Sequence, residues 1–290
     1  RIRQKREVMK PILAAALSAL LLASSCSKLP IITRNDQLDN GWAIITDSLV
    51  DAIDLFFINE SNGMAISYQN TYVTSNGGKS WVKRDSATFH SSLGMGSAAV
   101  AFVTGSSKKI RATLDSGRTF KDLLFADPDS VFYDCFFINA NTCYAVGEKK
   151  FWKTTDAGKT WNSLYNFPKA SKNNRSLFFL DENNGWVLSG EELIKTTDGG
   201  VSWSGINTGL NIPYSGGAVQ FLNQQQGYFT DYAGIGKTLD GGNTWVNCFN
   251  DVGLNNTLID LHFFNADEGY ACIGNRILRT TNGGQDWKTV

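Results

Sequence analysis

Three aspartates and a histidine stand where a repeating chain could bring them together. Asp54, Asp134 and Asp260 each lie three residues before a phenylalanine (Phe57, Phe137, Phe263) that closes an apolar run. Ser176 and Ala218 hold the same place before Phe179 and Phe221, and His262 follows Asp260 by two residues. Carboxylates gathered with an imidazole could bind a cation or a basic peptide, because oxygen donors suit hard cations and imidazole suits zinc. The competing reading is structural: each aspartate accepts backbone N–H groups of the adjacent strand. The structural reading is preferred.

A second set of acids recurs more strictly. Thr74-Ser-Asn-Gly-Gly-Lys-Ser-Trp81 returns, with variation, from Thr113, Thr154, Thr196, Thr238 and Thr280, at spacings of 39 to 42 residues. Its third position is Asn76, Asp115, Asp156, Asp198, Asp240 and Asn282. Asn keeps a carbonyl acceptor and loses the charge, so the shared requirement is an acceptor rather than an anion. That argues against six cation sites and for a turn in which the side chain folds back onto backbone N–H groups. The fifth-position glycine supplies positive φ, and the closing Trp or Phe covers the turn.

The elements that position these residues also repeat. Phe56-Phe57 leads to Gly63-Met64, Phe136-Phe137 to Cys143-Tyr144, Phe178-Phe179 to Gly185-Trp186, and Phe263-Phe264 to Gly269-Tyr270. Each unit reads strand, polar turn, strand, short turn, strand, box, strand. Four short strands in about 40 residues is the length of one propeller blade. The expected fold is therefore an all-β propeller of four-stranded blades, six with seven as the alternative. The stretch around Trp42 would be an outer strand that docks beside the last blade and closes the ring. The unit between Ser80 and Thr113 lacks the Phe doublet and is the irregular one.

The pattern (Ser/Thr)-x-(Asp/Asn)-x-Gly-x-(Ser/Thr)-(Trp/Phe) resembles the Asp-box, or bacterial neuraminidase repeat, although the last copy carries Asp286 where Ser or Thr is usual. With its even spacing, the chain from about residue 40 to 290 is most similar to the photosystem II stability/assembly factor family of β-propellers. That resemblance implies a non-catalytic propeller that binds a protein partner and assists a membrane complex. It also implies a basic partner-binding surface, for which Lys153, Lys195, Lys237 and Arg279, each just before a box, are the candidates. A merely solvated face is the alternative.

Sialidases, which share the Asp-box, require an arginine triad, and propeller xyloglucanases require paired carboxylates between two propellers. Arg34, Arg84, Arg111, Arg118, Arg175, Arg276 and Arg279 are few and scattered. A carbohydrate-active enzyme is kept as the alternative function. No cofactor or metal is expected.

Residues 9–26 have a basic start, an apolar stretch and small residues before Cys26, which is the pattern of a secretory signal. Leu22-Ala-Ser-Ser-Cys26 resembles a bacterial lipoprotein box, which implies lipidation of Cys26. The expected organisation is upstream residues and signal at 1–25, a tether at 26–40, and one propeller domain at 41–290. Removing 1–25 takes five basic residues and one acidic residue, leaving 22 Lys and Arg against 26 Asp and Glu, a net of −4. Such a chain has no basic face for nucleic acid. A monomeric domain of the cell envelope follows, held to the membrane by acyl chains. An oxidising compartment permits a disulfide between Cys135 and Cys143, which flank one hairpin turn.

Overall fold

The computed structural model describes residues 52–86, 90–105, 109–123, 131–167, 174–189, 192–209, 217–230, 234–250, 258–273 and 276–290. The signal segment, Cys26, the tether and the strand expected around Trp42 lie outside the described residues. The chain divides into two compact units, one of residues 1–143 with 154–160, the other of 144–153 with 161–290. Every regular element among the described residues is a strand.

In the first unit, β1 (Ala52–Phe57), β2 (Gly63–Ser67), β3 (Asn70–Thr74) and β4 (Val82–Ser86) form one antiparallel sheet in chain order. Strands β5 (His90–Met95), β6 (Ala101–Gly105), β7 (Arg111–Thr113) and β8 (Lys121–Asp122) repeat the meander with a shortened outer half. β9 (Phe132–Phe137) meets β6 through the single pair Gly105↔Phe132. The missing Phe doublet of the irregular unit therefore costs it no strand: Leu93-Gly94-Met95 fills the inner position.

The division between the units falls within β10 (Cys143–Gly147). In the second unit, β11 (Lys150–Thr154) pairs with β12 (Asn162–Asn166). Three further meanders follow: β13 (Asn174–Phe179) to β16 (Ser204–Ile206), β17 (Val219–Phe221) to β20 (Val246–Asn250), and β21 (Leu258–Phe263) to β24 (Lys288–Thr289). Between them lie β14 (Gly185–Ser189), β15 (Glu192–Thr196), β18 (Gly227–Thr230), β19 (Gly234–Thr238), β22 (Gly269–Ile273) and β23 (Arg276–Thr280). The last sheet holds a fourth strand of its own, two residues long.

The core lies between successive sheets. In the first unit Met64, Ile66, Leu93, Met95, Ala101 and Val103 form one buried cluster drawn from β1–β4 and β5–β8 neighbours. In the second, Trp186, Leu188 and Leu193 pack on Val219, Phe221 and Phe229 of the following repeat. Each of the larger aliphatic side chains and phenylalanines contributes about 1.5–3 kcal/mol by leaving water. The second strand of most repeats opens on glycine for a steric reason: a Cβ on Gly185 would stand 2.5 Å from the Phe179 ring. The phenylalanine lies against the facing backbone, and glycine at these positions leaves room for it.

Candidate functional site

The inner-strand acids are fixed by a recurring β-bulge. Register shifts fall between Ala52 and Asp54, His90 and Ser92, Asn174 and Ser176, and Leu258 and Asp260. A bulge inserts one unpaired residue and re-aims the next side chain. The re-aimed side chains mostly bond toward neighbouring inner strands. Asp54 accepts the N–H of Leu55 at 2.7 Å on one oxygen and that of Leu93, in the next repeat, at 2.7 Å on the other. Ser176 accepts the N–H of Val219 at 3.1 Å, again one repeat on. Asp134 accepts the Ser92 hydroxyl at 2.6 Å and the Cys135 N–H at 2.8 Å.

Asp260 accepts the N–H of Leu261 at 2.8 Å. Burial pushes the Asp54 carboxyl up to about 6, against the pull of the Leu93, Leu55 and Ser92 hydrogen bonds. Burial lowers His262 to about 4, so at neutral pH it is an uncharged imidazole, edge-on to Phe264 at 4.8 Å. Among the described residues no three His, Cys, Asp or Glu side chains are grouped to hold a metal ion.

Sequence reasoning missed Ser92, which occupies the same register position as Asp54 and links it to Asp134. It also missed Gln220. Where Ala218 offers no side-chain acceptor, Gln220 clasps Phe263 of the next repeat, donating to its carbonyl at 3.0 Å and accepting its N–H at 2.7 Å.

The boxes share one network. In the second copy the Thr113 hydroxyl donates to Asp115 at 2.8 Å and accepts the Gly117 N–H at 2.8 Å. Asp115 in turn accepts the Thr119 N–H at 2.9 Å and its hydroxyl at 2.6 Å. Copies at Asp156, Asp198 and Asp240 repeat these bonds. Hydrogen bonds from the closing Thr or Ser hold all four carboxyls down at about 2.

The four basic residues before the boxes are built into the wall of the fold. Each lies over the aromatic residue at the second position of the preceding strand. Lys153 lies over Tyr144 at 5.0 Å, Lys195 over Trp186 at 5.4 Å, Lys237 over Tyr228 at 5.6 Å, and Arg279 over Tyr270 at 5.7 Å. Lys237 also donates to the carbonyl of Gly283 in the next box at 2.7 Å, and Lys195 reaches that of Gly241 at 3.4 Å. Arg279 instead pairs with Glu268 at 2.9 Å.

Cys135 and Cys143 carry no disulfide in this structure. Both are buried thiols, and Cys135 donates to the Phe102 carbonyl at 3.7 Å. The two thiols lie in hydrogen-bonding contact, and burial first, then that contact, pushes the Cys143 thiol well above its usual range.

Repeated four-stranded antiparallel meanders, each pinned by a box turn before its outer strand, define an Asp-box β-propeller. Over residues 121–253 the chain matches the sequence model of the photosynthesis system II assembly factor YCF48 family, and the propeller resembles that family. Its fold is similar to that of YCF48 bound to D1 peptide, at 18% identity over 82% of this chain and 80% of that one, TM-score 0.68. YCF48 from Cyanidioschyzon merolae is similar at 16% identity over 82% and 84% of the two chains, TM-score 0.66. The GH74 enzyme of Niastella koreensis matches at 13% identity and TM-score 0.61, over 81% of this chain but only 44% of that enzyme. No curated protein matches by sequence.

Proposed function

We propose that the protein is a non-catalytic, lipid-anchored propeller of the bacterial cell envelope that binds a protein partner and supports assembly or stability of a membrane complex. The observation that carries this reading is where the recurring polar groups go. Box acids bond their own turns, inner-strand Asp54 and Ser176 bond the next repeat, and three lysines and Arg279 lie over aromatic rings. A glycoside hydrolase needs two carboxylates facing one sugar. Here Asp54 and Asp134 are committed to backbone amides and Ser92. The likeness to YCF48 bound to D1 peptide supports the choice of a protein partner. The signal-like segment ending at Cys26 supports the anchor.

The test is affinity capture of the full chain, tagged after Val290, from crosslinked native envelopes. One membrane protein recovered in stoichiometric amount is the expected result. No specific partner, together with hydrolysis of xyloglucan or a sialoside, would replace this reading with the enzymatic one. Cys26→Ser is expected to move the protein from the membrane to the soluble fraction.

A further inference from the structure

The aromatic–cation pair that fills the wall of later repeats is absent from the first. Tyr228 faces Lys237 across the strands, and Trp186 faces Lys195. The corresponding pair in β2 and β3 is Met64↔Val73. Neither side chain reaches as far as an indole or a lysine. A cavity of about 350 Å³ opens there, lined by Met64, Val73 and Met95 on its apolar side. Ser116 also lines it, standing in its box where Gly241 and Gly283 receive the lysines of later repeats. This volume is in the range of small-ligand sites.

Arg84 and Arg118 line the same cavity. Neither has an acidic partner among the described residues, whereas Arg111 is tied to Asp85 and Asp122, and Arg279 to Glu268. The acids close by are already engaged. Asp85 is engaged by two Arg111 contacts, at 2.7 and 3.0 Å, and Asp115 is held by Thr113 and Thr119. The first box carries the neutral Asn76, so its turn adds no negative charge.

We propose that this cavity binds an organic carboxylate with a compact aliphatic body. Planar guanidinium groups match the two oxygens of a carboxylate, and methionines adapt to an irregular apolar guest. Inorganic phosphate would satisfy the arginines and leave the apolar side unfilled. The proposal rests on the protein being a binding module, but its test is separate: it uses no partner, and partner capture does not depend on it.

The chain holds three methionines, and two of them line the cavity. Carbon-13 methyl labelling of methionine therefore reads the site directly in the full-length protein. Titration with hexanoate is expected to shift the Met64 and Met95 methyl signals to saturation in the millimolar range, with hexanol and inorganic phosphate binding more weakly. Acetyl-alanyl-leucine serves as the second arm. If it binds and hexanoate does not, the carboxylate belongs to a polypeptide end; if both bind, a free acid suffices.

Arg84→Gln and Arg118→Gln should each weaken binding roughly fivefold. Met64→Tyr with Val73→Lys rebuilds the pair of the later repeats, so the Met95 methyl signal, the reporter that remains, should no longer shift while thermal melting stays cooperative. Hexanol binding as tightly as hexanoate would overturn the proposal. So would unaltered affinity in both arginine variants, or no saturable shift with either carboxylate.

Discussion

Asn282 and Asp286 exchange the chemical roles found in the other boxes. In the second to fifth copies a hydroxyl donates to an aspartate; in the last, the Asn282 amide donates to the Asp286 carboxylate at 2.9 Å. Asp286, the departure from the pattern, is thus matched to an Asn282 amide that can donate to it, as the Asn76 amide donates to the Ser80 hydroxyl at 2.8 Å, and this logic was hidden until donor and acceptor could be placed. Asn282→Asp alone sets two carboxylates against each other and should cost about 1–2 kcal/mol in urea unfolding. Adding Asp286→Thr should restore the loss, and failure to do so would separate the two positions.

The four remaining box aspartates are depressed to about 2 from 3.8, so their contribution is present above pH 4 and lost as pH falls toward 2. Asp54 runs the other way. Raised to about 6, its contribution is full below 3.8 and disappears as pH rises through 6. Buried His262, lowered to about 4, and His90, also lowered, act in the opposite sense over the same range, because the unfolded imidazoles take up protons first. The melting temperature should therefore stay roughly level from pH 7 toward 4 and then drop. Asp54→Asn should turn the level stretch into a fall, and replacing the four box aspartates by asparagine should soften the drop below 4. That the box was a fastener could be read from Asn76 and Asn282 alone. The raised Asp54 could not, because it depends on which strand covers it.

At the scale of single elements, the meander was legible because alternating aromatic runs and polar turns specify strands without any long-range information. The bulge before Asp54, Ser92, Ser176 and Asp260 was not. One extra residue in a buried apolar strand leaves no mark in composition, since both faces are covered. Ser92 was missed for a related reason: Gly94-Met95 replaced the aromatic marker used to align the other repeats. The basic residues before the boxes were found, but their spacing gave no sign that aromatic rings and neighbouring turns would take them up.

Gln220 shows how an element repairs a gap in its own pattern. Gln220→Ala strips the Phe263 N–H and carbonyl of their partners, so a loss of about 1–3 kcal/mol is expected in chemical denaturation. Leu239→Ala, at an exposed box position, is the matched control and should stay within about 0.5 kcal/mol of the parent. Equal effects would remove any special role for the clasp.

At the scale of the whole molecule, the described residues of each unit hand stabilisation from one repeat to the next rather than gather it in one centre. In the second unit Tyr144 stacks on Phe179 at 3.9 Å, Trp186 on Phe221 at 3.7 Å and Tyr228 on Phe263 at 3.6 Å. The cluster holding Trp186 and Phe221 is separate from the one holding Phe263. Such an array behaves as a sum of repeat stabilities and nearest-neighbour terms. It also tolerates a repeat that departs from the rest, as the first does around Met64 and Val73, because only adjacent sheets feel the change.

A double-mutant cycle tests this arrangement, with leucine in place of each ring so that the apolar volume is mostly kept. Trp186→Leu with Phe221→Leu should show a coupling of about 0.5–1.5 kcal/mol, the worth of a stacked aromatic pair beyond its buried area. Trp186→Leu with Phe263→Leu should be additive within about 0.5 kcal/mol, because the two rings share no contact cluster. Coupling of equal size in both cycles would mean that packing strain travels past the adjacent repeat, and the second unit would then be one cooperative core rather than a chain of neighbours.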